Sequence, residues 1–403
     1  MRIAINGLGI AGPTLAYWLR RAGHEVLLVE AAPQLRSGGY VIDFWGLGYD
    51  IAERMGVLPS VRAAGYQVQE VRFVDRRGRR VGGFDVKVVA RATGGRFTSV
   101  RRSDLSAILY GALGGEVETL FGDSVAAVED EGDAVRLHFE HAAERVVDLV
   151  VGADGLHSRV RGLVFGPEEH LEVPLGYHVA AFEVEGYRPR DELVYVSQSI
   201  PGRQVSRFTL RDNRTIFLFV FRDEYLEGVT PVTEPEKRAA LRRAFAGVGW
   251  ECPRILEAME GADAIYLDRV SQIRMEHWTR GRVALVGDAA ACVSLLAGEG
   301  TGLAMTEAYV LAGELRASGG DHHAAFAAYE RRLRPFLARK QATAAKFASS
   351  FAPRTALGIH FRNLVTRLMK IPLVTDYFIT RDLRDDIVLP EYPFPIPGAA
   401  PRR

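Results

Sequence analysis

The stretch GRVALVGDAAACVSLLAGEGTG, residues 281–302, indicates the fold of this chain more clearly than any other. Val283–Val286 predicts a short buried strand, and Asp288 follows at the carboxyl end of that strand. Three glycines then lead into a helical pattern: Gly298, Gly300 and Gly302. A buried strand, an acid and a glycine-rich helix entry are typical of a loop that faces a ribose- or phosphate-bearing ligand.

A second unit of this kind lies near the beginning of the chain, where a strand precedes the loop Gly7-Leu8-Gly9-Ile10-Ala11-Gly12. Gly7 permits a tight turn, Gly9 lets the backbone approach a pyrophosphate, and Gly12 allows close packing of helix on strand. Glu30 ends the next strand, 23 residues after Gly7, close to the spacing of a carboxylate that bonds an adenosine ribose. The unit predicts a dinucleotide site, and the motif alone does not separate NAD from FAD.

The composition is that of an ordinary globular protein, since 48% of the 403 residues are hydrophobic, 25% are charged and the net charge is +1. This balance gives no global attraction to nucleic acid, so we expect no nucleic-acid partner. The two cysteines, Cys252 and Cys292, exclude a disulfide framework and lack zinc-ligand spacing. No uncharged apolar run is long enough to span a bilayer. We expect a cytoplasmic monomer or homodimer with no metal and no stable membrane insertion.

Between the two glycine-rich loops the chain changes character twice. Arg102 stands at the start of a helix, where its guanidinium can reach a pyrophosphate or remain in solvent. A buried strand ends at Gly152 and is followed by the turn Asp154-Gly155, and His157 beside it is more typical of a turn residue than of a catalyst. Residues 176–270 contain short alternating runs separated by turns, which predicts an antiparallel sheet inserted between α/β elements.

Five motifs recur in a fixed order: Gly7–Gly12 with Glu30, Arg102, Asp154-Gly155, Gly287-Asp288 and Gly298-x-Gly300. In this order they resemble the class A flavoprotein monooxygenases, the family with the fold of para-hydroxybenzoate hydroxylase. Within the family the chain is most similar to tetracycline-inactivating and antibiotic-pathway monooxygenases, over about residues 1–345. The resemblance implies FAD as the bound cofactor and NADPH or NADH as the co-substrate.

The fold implied by the resemblance is α/β, with a Rossmann-type FAD-binding domain, an inserted antiparallel-sheet substrate domain and C-terminal helices. The FAD-binding domain would comprise residues 1–72, 99–174 and 266–345. The substrate domain would comprise residues 73–98 and 175–265, and a C-terminal helix with an extended tail would comprise residues 346–403.

The resemblance also implies cofactor contacts, residue by residue. At the ADP half of FAD they are Gly7, Gly9, Ala11, Gly12 and Glu30. Further contacts to FAD, some of them shared with the nicotinamide, are Arg36, Asp43, Arg102, Asp154 and Gly155. At the ribityl and isoalloxazine end they are Gly287, Asp288, Ala297, Gly298, Gly300 and Thr301.

The activity implied by the resemblance needs no protein nucleophile. NAD(P)H would reduce FAD, O2 would add at C4a, and the hydroperoxide would pass one oxygen to an aromatic or polyketide-like small molecule. A Baeyer–Villiger-type oxygenase, a flavin reductase of the same fold and a flavoprotein that only binds a pathway intermediate remain alternatives. Substrate-contact candidates are His178, Phe217, Phe219 and Phe221. The three phenylalanines alternate and share one face of a strand, so a core role is equally open.

Two further features of the sequence bear on these expectations. Family members commonly have proline before the second glycine loop, whereas this chain has Ala291-Cys292-Val293-Ser294-Leu295, and Cys292 is expected to be a buried packing residue. The pattern over Leu357–Met369 predicts an amphipathic helix that packs Phe361, Leu364 and Leu368 on the core rather than on a membrane. Pro390–Arg403, with five prolines, predicts an extended tail.

Overall fold

The computed structural model describes residues 1–36, 40–369, 385 and 387–394. The expected α/β fold is confirmed, with a mainly parallel sheet of six strands and a mainly antiparallel sheet of seven. The part of the predicted tail beyond residue 394 lies outside the described residues.

The strands, in chain order, are β1 (Arg2–Asn6), β2 (Glu25–Glu30), β3 (Val41–Trp45), β4 (Glu70–Val74), β5 (Arg80–Asp85), β6 (Phe97–Arg101), β7 (Glu118–Phe121), β8 (Val125–Asp130), β9 (Val135–Phe139), β10 (Arg145–Val147), β11 (Leu149–Gly152), β12 (Glu172–Glu185), β13 (Val194–Ile200), β14 (Arg203–Thr209), β15 (Arg214–Arg222), β16 (Tyr266–Ile273), β17 (Thr279–Arg280) and β18 (Val283–Leu285).

The α-helices are α1 (Ala11–Arg21), α2 (Gly46–Arg54), α3 (Leu58–Ala64), α4 (Lys87–Ala92), α5 (Arg102–Gly111), α6 (Arg159–Phe165), α7 (Glu234–Ala244), α8 (Cys252–Ala258), α9 (Asp288–Ala291), α10 (Gly300–Ala317), α11 (His322–Phe351) and α12 (Ala356–Leu368). Small two- and three-stranded sheets, β3–β6 and β10–β9–β8, complete the strand pairing.

The six-stranded sheet has the order β17-β18-β11-β1-β2-β7, and every neighbouring pair except β17–β18 is parallel. Its central strands are rich in valine, isoleucine and leucine because the sheet is covered on both faces. Asn6 at the end of β1 aligns with Gly152 of β11, and Gly152 aligns with Leu285 of β18. The carboxyl ends of β1, β11 and β18 therefore meet at one edge, where α/β sheets bind their ligands.

The seven-stranded sheet has the order β16-β12-β15-β14-β13-β4-β5. Its first strand along the chain, β4, starts at Glu70, and its last, β16, is Tyr266–Ile273. The sheet therefore includes residues 70–72 and 266–273, which the resemblance assigns to the FAD-binding domain. These strands lie there because β4 pairs with β13 and β16 pairs with β12. Helices α7 and α8 cover one face of this sheet, which we call the outer face. The opposite, inner face packs against Leu295 and Leu296, which precede the second glycine-rich loop.

The structure corrects the predicted orientation of the C-terminal helix. Phe361, Leu364 and Leu368 of α12 are 69%, 53% and 42% exposed, while Asn363 and Thr366 are buried against the inner face of the seven-stranded sheet. Beneath the helix, Thr366 Oγ1 accepts a hydrogen bond from the backbone of Gly83 at 3.2 Å, and the guanidinium of Arg362 lies over the ring of Phe73. The polar side of α12 therefore faces inward.

Residues 387–394, the C-terminal strap, have no regular secondary structure, as predicted for this part of the tail, but they are docked on the FAD-binding part. The Pro390 carbonyl accepts hydrogen bonds from Tyr309 at 2.8 Å and Arg54 at 3.2 Å. The ring of Phe394 packs on Trp18, with 4.7 Å between ring centroids. Across the described ranges, no helix is both long and apolar enough to cross a bilayer.

A candidate dinucleotide site

The first glycine loop has a backbone that only glycine can form. Gly7 has φ +112°, and a Cβ there would lie 2.4 Å from the carbonyl oxygen of Ala153. A Cβ on Gly12 would lie 1.9 Å from the carbonyl oxygen of Gly7. Helix α1 starts at Ala11 without a side-chain cap on its first N–H groups. These N–H groups and the helix dipole are suited to a phosphate.

Arg102 stands next to this loop with a guanidinium that is available to a ligand. Its Nη2 lies 3.6 Å from where a Cβ of Gly9 would be. The side chain is exposed and makes no hydrogen bond or ion pair with any described residue. Four residues later on α5, the hydroxyl of Ser106 donates to the Gly9 carbonyl at 2.9 Å. Sequence reasoning missed Ser106, although its i+4 spacing from Arg102 was a usable signal.

Glu30 is buried at the end of β2, with 8% of its surface exposed. Its carboxylate accepts hydrogen bonds from the backbone of Leu8 at 2.9 Å and of Ala32 at 3.0 Å. Arg36, with a side chain 74% exposed, pairs with it at 3.3 Å. An ionised carboxylate has about four acceptor positions, so one remains for a ribose hydroxyl.

Asp154 fixes the turn that follows β11. Its carboxylate accepts hydrogen bonds from Asn6 at 2.9 Å, from Ser158 at 2.5 Å, and from the backbone of Arg159 and Val160 at 2.8 and 3.1 Å. It ties the end of β1 to the start of α6 and has little acceptor capacity left for a ligand. Gly155 follows with φ +83°, and a Cβ there would meet no described atom within 4 Å.

The second loop meets the first at the same edge of the sheet. Gly287 has φ +66°, and a Cβ there would lie 3.3 Å from the Cβ atoms of both Ala11 and Ala304. It is wedged between the first turns of α1 and α10. Asp288 follows with Oδ1 at 3.7 Å from the Cβ position of Gly300. Burial raises the pKa of Asp288, and the positive charge of Arg102 opposes that rise.

Glu307 on α10 bonds to the turn at Gly287, and sequence reasoning missed this residue. It is 1% exposed, and its Oε2 accepts a hydrogen bond from the backbone of Gly287 at 2.8 Å. The hydroxyl of Tyr329 lies 3.2 Å from the same oxygen and 3.0 Å from the Leu285 carbonyl. Burial raises the pKa of Glu307 well above its ordinary value. An acid in an otherwise apolar helix was the signal in the sequence.

The loop before α10 lies against the β3–α2 connection. A Cβ on Gly48 would lie 2.5 Å from the Cα of Gly302, so the two backbones touch. A small cavity at this crossing is lined by Asp43, Phe44, Trp45, Leu47, Gly48, Gly298, Glu299, Gly302, Leu303 and Asp385. Asp43 accepts a hydrogen bond from Ser99 at 2.5 Å, and burial raises its pKa. Ala297 and Thr301 flank the loop at either end.

A charged cluster from three parts of the chain secures this loop. The ammonium of Lys340 lies 3.1 Å from Glu299 and 2.9 Å from Asp385. Asp385 also accepts a hydrogen bond from the backbone of Leu47 at 3.0 Å. Nothing local in the sequence connects these residues, and sequence reasoning did not find the cluster.

The segment that lacks the family proline is held by other means. The Ser294 hydroxyl accepts a hydrogen bond from the backbone of Leu296 at 3.2 Å. Cys292 is buried as expected, and its thiol lies 3.5 Å from the Ser271 carbonyl. Burial raises the pKa of this thiol well above its ordinary value, which disfavours the nucleophilic thiolate.

His157 joins the two sheets at this end of the molecule. Its ring nitrogens lie 2.8 Å from Glu168 and 3.2 Å from Asp268 on β16. The hydrogen bond with Asp268 is the largest cause that raises the pKa of His157 to about 9. This histidine is therefore a charged link between a turn and a strand, in agreement with its interpretation as a turn residue.

The substrate-contact candidates lie on the outer face of the seven-stranded sheet, which favours the core role that the sequence left open for the three phenylalanines. Phe217, Phe219 and Phe221 are fully buried under α7 and α8 with Phe245. They belong to the core because the odd-numbered residues of β15 share the outer face, away from the edge of the six-stranded sheet at which β1, β11 and β18 end. His178 pairs with Phe221 across β12 and β15, so it shares this face, and its Nδ1 lies 2.9 Å from Asp223.

The inner face carries a mixed apolar and polar surface that sequence reasoning missed. Val179 and Val220 pack with Leu296 of the glycine-rich loop. A row of buried polar side chains lies beside them on β13 and β14, where the hydroxyls of Ser197 and Ser206 are 2.8 Å apart. The period-two pattern of these strands shows which residues share a face, and tertiary packing decides which face meets the cofactor edge.

Comparison with known proteins agrees with this geometry. Residues 1–342 match the family described as the FAD binding domain. An uncharacterized protein of Mycobacterium tuberculosis is 41% identical over 84% of this chain and 91% of its own length. A flavin-dependent monooxygenase from an unknown prokaryotic organism is 33% identical over 87% of this chain and 90% of its own length. The crystal structure of tetracycline destructase Tet(51) has a TM-score of 0.81 and 32% identity, covering 97% of this chain and 99% of that one.

Proposed function

This chain belongs to the FAD-binding flavoprotein monooxygenases, and from that premise we propose that it uses NADPH or NADH to hydroxylate an aromatic or polyketide-like small molecule. One observation carries the proposal furthest. The free guanidinium of Arg102 lies beside Gly9 and acts electrostatically on Asp288, so a single elongated cofactor would touch both glycine-rich loops.

The residues present fit FAD along its whole length. The loop Gly7–Gly12, the first turn of α1 and Arg102 would hold the pyrophosphate, with Glu30 at the adenosine ribose. Asp288 would accept hydrogen bonds from the ribityl hydroxyls. The backbone from Ala297 to Thr301 would face the flavin ring, and Arg36 and Asp43 would make further contacts to the cofactor.

When bound, FAD supplies the redox chemistry, taking electrons from the nicotinamide and activating O2. The residues of the chain bind, orient and shield the reacting groups. The first N–H groups of α10, at Gly300–Gly302, offer donors and positive potential where a reduced flavin carries negative charge. The inner face of the seven-stranded sheet, which packs against Leu296, would shield this region from water.

We place the substrate between that inner face and the loop of residues 295–301. Val179 and Val220 are buried behind Leu296, and the partly buried side chain of Leu218 beside them offers an apolar contact for fused rings. The names of the relatives, a tetracycline destructase and several flavin-dependent monooxygenases, support a polycyclic substrate class. We further propose that the enzyme acts in the cytoplasm, as a monomer or homodimer.

The test is a substrate screen on the purified protein loaded with FAD. Oxidation of NADPH and NADH is followed under air with tetracyclines, other polycyclic phenols and simple phenols, and products are analysed by mass spectrometry and NMR. We expect a polycyclic phenol to stimulate nicotinamide oxidation and to gain one oxygen as a hydroxyl group.

Three other outcomes would contradict hydroxylation. Stimulated oxidation without an oxygenated product indicates a reductase, and a ring-expanded ester indicates Baeyer–Villiger chemistry. Tight binding of a polycyclic compound with no change in the oxidation rate indicates a binding protein. A colourless protein that takes up no FAD contradicts the cofactor assignment itself.

A further inference from the structure

Helix α12 exposes a row of large apolar side chains. Leu357, Phe361, Leu364 and Leu368 are 81%, 69%, 53% and 42% exposed. Their spacing of four, three and four residues places them on one face of the helix, and we call this row the α12 stripe. A contiguous exposed apolar patch of this kind marks an interaction surface.

The stripe faces outward because specific polar contacts fix the inward side of the helix. The guanidinium of Arg362 donates to Gln204 Oε1 at 3.1 Å and lies 4.0 Å from the ring centroid of Phe73. Thr366 Oγ1 accepts from Gly83, and Asn363 lies 3.1 Å from the Cβ position of Gly82. Rotating α12 to bury its stripe would break each of these contacts.

The ionisable residues on the helix itself and on the segments that flank it in sequence are all basic. Residues 351–375 contain no aspartate or glutamate. Among the described residues 351–369, the exposed ionisable side chains are Arg354, His360 and Arg367. An apolar face bordered by basic residues is the pattern of a helix that lies in the interface of a membrane with anionic lipids. A second copy of this chain would bring the same positive charges together, which disfavours it as the partner.

We propose that the α12 stripe docks on the surface of an anionic lipid bilayer, with its apolar side chains at the level of the acyl-chain boundary. The helix has 13 residues, fewer than the ~20 that span a bilayer, so it lies in the interface and does not cross it. This docking rests on α12 alone and is independent of the proposed function.

The test is flotation of the FAD-loaded full chain with vesicles of phosphatidylcholine, with and without phosphatidylglycerol. We expect binding to the anionic vesicles that weakens as salt is raised. The double variant Leu357→Ser/Phe361→Ser should bind less, by about tenfold for each apolar side chain removed. Arg367→Glu should reduce binding to anionic vesicles only.

Val232→Ser is the matched control, because Val232 is 73% exposed and lies in the loop before α7, away from the stripe. It should bind vesicles like the unchanged chain. No binding to anionic vesicles, or equal binding by the double serine variant, would overturn the proposal. A change in molecular mass in solution on stripe substitution, without vesicle binding, would instead identify a second copy as the partner.

Discussion

At the scale of single residues, two side chains near the ends of β1, β11 and β18, which we call the cofactor edge, differ in their surroundings. Arg102 is exposed, whereas Glu307 is buried. Arg102 presents its guanidinium to the space beside Gly9 without a partner among the described residues. Glu307 is buried, and its Oε2 accepts a hydrogen bond from the backbone N–H of Gly287. The first is suited to take up a ligand charge, and the second fixes the shape of the turn that carries Asp288.

Replacing Arg102 should weaken FAD binding more than it affects the fold. A hydrogen bond to a charged group contributes about 1.5–3 kcal/mol, so Arg102→Ala should raise the Kd for FAD roughly ten- to a hundredfold. Titration of the apoprotein with FAD, followed by flavin fluorescence, measures this Kd. Arg91→Ala on α4, exposed like Arg102, should leave it unchanged. An unchanged Kd in Arg102→Ala would remove this residue from the cofactor site.

Glu307 should behave as a neutral acid whose carbonyl oxygen matters. Glu307→Gln keeps an acceptor for Gly287, whereas Glu307→Leu leaves a buried N–H unpaired at a cost of about 1–3 kcal/mol. We expect the leucine variant to unfold at a lower temperature and to lose FAD on gel filtration, and the glutamine variant to retain it.

The raised pKa of Glu307 also sets a pH dependence with a definite sign. The unfolded chain ionises this carboxyl near its ordinary value of 4.5, whereas the folded chain keeps it protonated to higher pH. The stability of the unchanged protein should therefore fall relative to Glu307→Gln as pH rises above 4.5. Thermal melts of both proteins at several pH values measure the difference. A constant difference across this range would show that Glu307 is ionised in the fold.

At the scale of elements, β15 shows how one strand serves two layers. Its odd-numbered phenylalanines fill the space under α7 and α8, and Val220 faces the glycine-rich loop. The cofactor edge and the helical cover are thus separated by the thickness of a single sheet. Substitutions on the two faces of this strand should have different consequences.

Phe219→Leu tests this separation directly. The change removes volume from a fully buried site and should lower the free energy of unfolding by about 1 kcal/mol or more. The Kd for FAD and the KM for a substrate found in the screen should not change. Leu218→Ala, on the inner face of the same strand, should raise that KM with a smaller loss of stability. If Phe219→Leu raises KM as strongly as Leu218→Ala, the assignment of the two faces is wrong.

At the scale of the whole molecule, the C-terminal strap and Asp385 return the end of the described chain to the cofactor edge. Asp385 contacts Lys340 and the backbone of Leu47, and Tyr392 packs on Gly313 of α10 so closely that a Cβ there would lie 2.1 Å from its ring. Asp385 and the strap together thereby connect α2, α10 and α11, which carry the second half of the site.

Removing the strap should loosen that half of the site. A chain ending at Arg384 loses the Asp385–Lys340 pair, the buried side chain of Leu389 and the partly buried ring of Phe394, so its Tm should fall by several degrees and FAD should dissociate faster. A chain ending at Phe394 is the reference. Equal Tm and equal FAD release in the two chains would show that the strap does not support the site.

The predictable parts of this protein are those in which backbone geometry alone demands a residue type. The positions of Gly7, Gly12 and Gly287 could be predicted from the sequence because a side chain there would conflict with the backbone φ or with close neighbouring atoms. The residues missed by sequence reasoning act across long sequence separations, as Glu307 does on Gly287 and Asp385 on Lys340. The alternation of β15 and the period of α12 were readable in the sequence, whereas the choice of buried face depended on contacts with residues far away in the chain, such as Gly83 and Gln204 for α12.

The strand order of the six-stranded sheet has a consequence for the timing of biosynthesis. The loop after β1 and the loop after β18 are separated by most of the chain, and β18 joins the sheet only through β11. Ribosomes add about 5–20 residues per second, so the first loop waits on the order of tens of seconds for the second. We therefore expect FAD to bind late in synthesis. A chain whose translation stops before Gly287 contains the first glycine-rich loop but lacks Asp288 and the second loop.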